Sequence, residues 1–174
     1  MSRGGIALAV LAALTAAVFA RLAWLHRTWL DTASGPSFDM RFGGYDLADA
    51  QAYLTDLGAA GLGVYAGSAA RLDTGLPVLL GLTLGAAVWR LTRDFNQWSR
   101  LVLLLVPAGY VVMDLAENAL VQEMLVQGPA ALDPHTVSLA SRFTVTKFVL
   151  LAASAALIAV LALLRLGRNR RGAA

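Results

Sequence analysis

Four apolar runs, each long enough to cross a bilayer, constrain this chain more than any other feature of it. Hydrocarbon about 30 Å thick is spanned by about 20 residues of helix. Within it only a helix or a closed barrel satisfies its own backbone. The runs extend from about Ile6 to Leu25, about Leu72 to Leu91, Leu101 to about Met124, and about Leu139 to Leu166. The chain is 58% hydrophobic and 14% charged, with mean hydropathy +0.65, whereas soluble domains are about a quarter charged. The expected fold is therefore all-α: a single membrane-embedded domain over residues 1–174, built as an antiparallel four-helix bundle. The first run has two readings. Arg3, the apolar stretch and Val18-Phe19-Ala20 also fit a cleavable signal peptide. A retained span is better supported, because apolar character resumes after Arg21, and Trp24 and Trp29 form an interfacial belt.

Orientation follows from the basic residues. Arg3 precedes the first span, Arg90, Arg93 and Arg100 flank the loop between the second and third, and Arg165, Arg168, Arg170 and Arg171 follow the fourth. By the positive-inside rule these regions are cytoplasmic. The loop from His26 to Asp73 is acidic, with Asp31, Asp39, Asp46, Asp49, Asp56 and Asp73 outnumbering Arg27, Arg41 and Arg71, and is expected outside. Both termini are then cytoplasmic, in a multi-pass protein of a bacterial inner (plasma) membrane. The net charge of +3 and pI near 9.8 reflect this topology and imply no nucleic-acid partner. With no cysteine, thiol redox chemistry and thiolate metal sites are excluded. His26 and His135 both fall outside the spans and are expected to be solvated, so a bis-histidine haem is not anticipated.

The acidic loop is more than a linker. Ser34-Gly35-Pro36-Ser37 and Gly43-Gly44 mark irregular structure. Asp46 then has the character of an N-cap, with Asp49 three residues on. Leu47, Ala50, Tyr53, Leu54 and Leu57 recur at helical spacing and Gly58 supplies a stop. A short amphipathic helix lying on or capping the bundle is expected over about 45–70, with Gly63 and Gly67 allowing close helix contact. Small residues mark contact faces in lipid, so Gly81 and Gly85, the row Ala9, Ala13, Ala16 and Ala20, and the row Ala152, Ala155, Ala156 and Ala159 are candidate packing surfaces. Pro107 and Gly109 are expected to kink the third span.

Against this apolar background the third span carries Tyr110, Asp114, Asn118 and Gln122 at four-residue intervals, with Glu117 beside them. A charge at a helix centre costs about 2.5 to 3.5 kcal/mol on insertion scales, so such residues pair or line something wet. The fourth span answers with Thr144, Lys147 and Ser154. Antiparallel pairing sets Glu117 level with Lys147 and Glu123 level with Arg142, and both are expected as structural ion pairs. Asp114 has no base at its own depth. It is expected to be a proton carrier, a hydrogen-bond donor to a ligand, or a partner of Tyr110 or Glu117. Tyr110, Asp114, Glu117, Asn118 and Lys147 form the candidate functional cluster. A metal is not expected, since bundle metal sites add Glu-x-x-His elements that are missing from the spans. Neither Ser141 nor Ser154 has a histidine base, and no catalytic signature is evident.

Several of these features together resemble a group of uncharacterised bacterial four-span membrane proteins. They are Tyr45-Asp46 opening a helix that ends Asp56-Leu57-Gly58, Tyr65 after it, Asp114-x-x-Glu117-Asn118 in the third span, and Thr146-Lys147 in the fourth. The resemblance implies the architecture and the choice of residues but no substrate. The expectation is a small integral membrane protein whose buried Asp/Glu/Asn–Lys cluster organises the bundle and binds a small ligand or lipid head group from outside. A proton- or ion-coupled transporter is the alternative, and an intramembrane lipid-modifying enzyme comes third. Expected partners are membrane lipid and, for a transport pathway, a second copy or another membrane protein; no cofactor is expected.

Overall fold

In the computed structural model, which describes residues 3–171, four helical stretches are long and apolar enough to cross a bilayer: Gly4–Leu30, Leu47–Leu91, Gln97–Gln127 and Pro134–Arg168. The chain is an all-α bundle. Helix α1 (Arg3–Leu25) runs on through a π-turn, His26–Leu30. Helix α2 (Leu47–Val64) passes through a second π-turn, Tyr65–Ala69, directly into α3 (Ala70–Leu91). Helices α4 (Gln97–Gln127) and α5 (Pro134–Arg171) complete the bundle. Both π-turns open on a residue of the polar site described below, in keeping with the frequency of such bulges at functional sites.

Side-chain contacts fix the helix directions. Thr15 and Thr83 hydroxyls meet at 3.0 Å, Asn118 reaches Asp73, and Lys147 reaches Glu117. Consecutive bundle helices α1, α3, α4 and α5 are therefore antiparallel, with α3 packed on α1, α4 and α5. Gly81 and Gly85 are the close-contact pair expected from their spacing: a Cβ at Gly81 would strike Val111 of α4, and one at Gly85 would touch Leu104.

Both alanine rows face outward, contrary to expectation, with every one of their residues exposed. The packing face of α1 is set instead by Thr15, Leu22 and Leu25, and that of α5 by Thr144, Lys147, Ser154 and Leu161. Hydrogen bonds and larger side chains decide these faces, while alanine joins Leu105, Val112, Val149 and Leu163 on the surface that hydrocarbon would cover. Pro107 is buried within a continuous α4, its carbonyl close to Gly81.

The apolar core lies at one end of the bundle. Leu22, Leu25, Leu30, Phe38, Tyr53, Leu57, Tyr65, Val121, Met124 and Val137 bury one another there, under a cap made from residues 31–64. Asp46 and Asp49 form a reciprocal capping box that starts α2. Gly58 ends the first helical stretch of α2, as expected. At φ 64° and ψ 174° it breaks the helix, and a second stretch follows to Val64; this backbone state is open essentially to glycine alone. Close approach falls at Gly61, whose Cβ would meet the Trp29 carbonyl at 3.0 Å, and not at Gly63 or Gly67, which have nothing within 4 Å. Gly44, at φ 80°, lets the loop dock on α5, where the Tyr45 amide donates to Ser141 Oγ at 2.8 Å.

Candidate functional site

Lys147 lies under the cap with 4% of its surface exposed. Its ammonium meets Glu117 Oε2 at 2.7 Å and Asp114 Oδ1 at 3.4 Å. The first contact is the one the helix register predicts. The second corrects the expectation that Asp114 lacks a base. Asp114 and Glu117 are three residues apart on one helix face, so one ammonium on a long stem spans both. The Tyr110 phenol lies beside the Asp114 carboxylate. Thr144 donates to the other Glu117 oxygen at 2.7 Å, and Glu117 is fully buried. The expected pair Glu123–Arg142 is not formed. Both side chains are exposed, and Glu123 instead accepts from Gln127 one turn on, at 3.2 Å. Water at the helix ends leaves exposed charges no reason to hold each other.

Two further carboxylates join the cluster. The loop after α1 drives Phe38 into the cap, where its ring packs 4.8 Å from those of Tyr45 and Tyr53. Arg41 fixes the turn from outside by donating to the carbonyls of Pro36 and Ser34. Asp39, next to Phe38, is thereby carried inside and is 4% exposed. Tyr65 donates to its Oδ2 at 2.7 Å. The Lys147 ammonium lies within electrostatic reach of Asp39 and Asp73 as well as Glu117 and Asp114.

Asp73 is buried at the start of α3, and its backbone explains Asn118. Pro77, four residues on, has no N–H to give the Asp73 carbonyl. Asn118 Nδ2 supplies the missing donor from α4 at 2.9 Å. One half of the Asn118 amide is thus structural, while its Oδ1 is buried without a protein partner.

His26 is not solvated, as its place between spans suggested, but buried at the end of α1, with Nδ1 2.8 Å from Ser37 Oγ. Its Nε2, the Asp39 Oδ1 and the Tyr45 hydroxyl are also buried without a well-aligned partner. Burial, and then the Glu117 charge, pushes the Tyr45 phenol well above its ordinary pKa, so it remains a proton donor at neutral pH. His135 stays exposed at the start of α5.

A cleft of about 260 Å³ between α3 and α4 opens onto this cluster, lined by Tyr65, Asp73, Thr74, Leu115, Asn118 and Gln122 among others. Tyr65 forms its wall and also holds Asp39, so the cleft is one side chain away from the buried turn. Among the described residues no three His, Asp or Glu side chains converge closely enough to hold a metal ion. The chain matches no family model, no curated protein and no solved structure.

Proposed function

We propose that this multi-pass membrane protein lies in a bacterial plasma membrane with its cap facing outward and both termini inside. There it binds a small cationic ligand, or a lipid head group bearing an amine, through the cleft between α3 and α4. The observation that carries the reading is the charge inventory behind that cleft. Asp73 lines it, and Asp39, Asp73, Asp114 and Glu117 all lie within electrostatic reach of a single ammonium, Lys147. Uncompensated charge is costly to keep out of water, so the surplus calls for positive charge or protons. The unpartnered Asp39, Asn118 and His26 atoms favour binding over a purely structural network, which would satisfy every member. Because the carboxylates do not converge, an organic ammonium that contacts them one at a time suits them better than a bare metal ion.

The test is thermal stabilisation of the purified chain in phosphatidylcholine nanodiscs, titrated with ethanolamine, choline and spermidine. At least one amine should stabilise the chain, with Asp73→Asn weakening it about tenfold or more. If no amine acts, or if Asp73→Asn binds like the parent, the reading is wrong. A second reading, proton-coupled transport, is favoured by one feature: Asp114 and Glu117 share Lys147, so a proton on one would release the ammonium to the other. Proton flux into proteoliposomes that is abolished by Asp114→Asn would select it.

A further inference from the structure

The opposite end of the bundle holds a second cavity, of about 340 Å³, lined by Trp89, Arg90, Arg93, Arg100 and Arg165. These residues come from the end of α3, the following loop, the start of α4 and the end of α5, so the cavity exists only in the folded bundle. Two of its guanidiniums are held in place. The Arg100 guanidinium carbon lies over the Trp89 ring, 3.4 Å from its centroid, and Arg100 donates to the Trp89 carbonyl at 3.0 Å. Arg165 donates to the Arg90 carbonyl at 2.7 Å. Both acceptors are carbonyls in the last turn of α3, where cations are favoured.

The charge at this end is lopsided. Asp94 is the only acidic residue between Asp73 and Asp114, and none follows Asp133. Asp94 is engaged outside the cavity wall, 3.5 Å from Arg93 and 3.9 Å from Arg168. Among the described residues, one acidic side chain at this end therefore stands against Arg93, Arg100, Arg165 and Arg168. The Arg100 Nε is buried without a protein partner. Buried guanidinium donors are normally satisfied, and the planar fork suits phosphate oxygens.

We infer that this cavity is a binding site for a phosphate group, taken from an anionic phospholipid or from a free phosphorylated solute. Its position at the helix ends, with Trp89 and Trp98 exposed beside it, is that of an interfacial belt, where lipid phosphates lie. The site is distinct from the carboxylate cleft: the two share no lining residue, and their ligands are of opposite charge.

The experiment uses the full chain in nanodiscs of pure phosphatidylcholine or of phosphatidylcholine with 30% phosphatidylglycerol, with retained lipid counted by native mass spectrometry. Titration of inorganic phosphate and pyrophosphate into the pure phosphatidylcholine sample forms the second arm. Retention of one phosphatidylglycerol, lost about tenfold in Arg165→Gln and in Arg93→Gln but unchanged in Arg168→Gln, identifies the lipid phosphate as the ligand. Saturable binding of the soluble anions, with the same variant pattern, identifies the free one. Arg93 is largely exposed, so its variant tests the site even if loss of the Arg165 contact disturbs folding. Absence of binding in both arms, or equal loss in all three variants, overturns the inference, because a diffuse positive surface would treat Arg168 like the others.

Discussion

Removing the Lys147 charge is the sharpest test of whether the cluster is as desolvated as its geometry requires. Lys147→Met keeps most of the stem and deletes the ammonium, which leaves Glu117, fully buried, and Asp114, nearly so, without their common partner. Breaking a buried pair from one side costs about 3–5 kcal/mol. An independent ceiling agrees. The vacated site can always take up a proton, and holding a carboxyl of ordinary Glu acidity protonated at pH 7 costs about 3.7 kcal/mol. The expected deficit is therefore about 3 to 3.7 kcal/mol, a change of about 150- to 500-fold in the folding equilibrium. Reversible unfolding in bicelles, compared with the parent at pH 7, measures it. The cause is separated from lost packing by adding Glu117→Gln, which keeps an oxygen for the Thr144 hydroxyl. The second substitution should return at least about 1 kcal/mol, a normal coupling for contacting groups. A single-variant deficit below about 1 kcal/mol, or strictly additive deficits, would refute the reasoning and mean that water already screens the pair.

Two other perturbations test the scaffold around the site. Asn118→Ala orphans the Asp73 carbonyl and should cost about 1–3 kcal/mol. In a Pro77→Ala background, where the helix can supply its own N–H, the same substitution should cost at least about 0.5 kcal/mol less by double-mutant cycle. Gly58→Ala, at φ 64° and ψ 174°, should destabilise the cap by about 1–3 kcal/mol. Hydrogen exchange in α2 should rise while α4 and α5 stay protected, and unchanged exchange throughout would show that the break is not held in place.

The spans, the capping box at Asp46 and the Glu117–Lys147 register were legible because each rests on local spacing. Hydropathy over about twenty residues fixes a helix, and two helices joined by a short loop have their facing levels fixed by counting from that loop. Asp39 and His26 were not legible. Both sit in a stretch whose composition describes a solvated loop, and only the burial of Phe38 among Tyr45, Tyr53 and Tyr65 turns it inward. Aromatic packing between elements far apart in sequence leaves no periodic trace. Asp73 was half legible: an acid four residues before Pro77 announces a free carbonyl, and an amide on the next span is the natural donor. The alanine rows misled for a related reason. Small residues permit close packing but do not demand it, whereas Thr15, Thr144 and Lys147 cannot face hydrocarbon unpaired.

That asymmetry also bears on why the cluster exists. A bundle needing only a polar clamp would be served by Glu117, Lys147 and Thr144, which contact one another across α4 and α5. Asp39, Asp73 and His26 reach that clamp only through their charge. They approach it from the cap, from the turn after α1 and from α3, and Asp39 and His26 bring unpartnered atoms with them. Each such atom costs about 1–3 kcal/mol when nothing is bound. An element that stabilises neither the fold nor its own surroundings is retained most simply because a ligand or a proton completes it. The cap supplies Asp39, the turn after α1 supplies His26 and α3 supplies Asp73, so occupancy of the cleft should couple directly to how firmly the cap is held. In the amine titration, hydrogen exchange should therefore slow in α2 before it slows in α5, and slowing in α5 alone would detach the cap from the site.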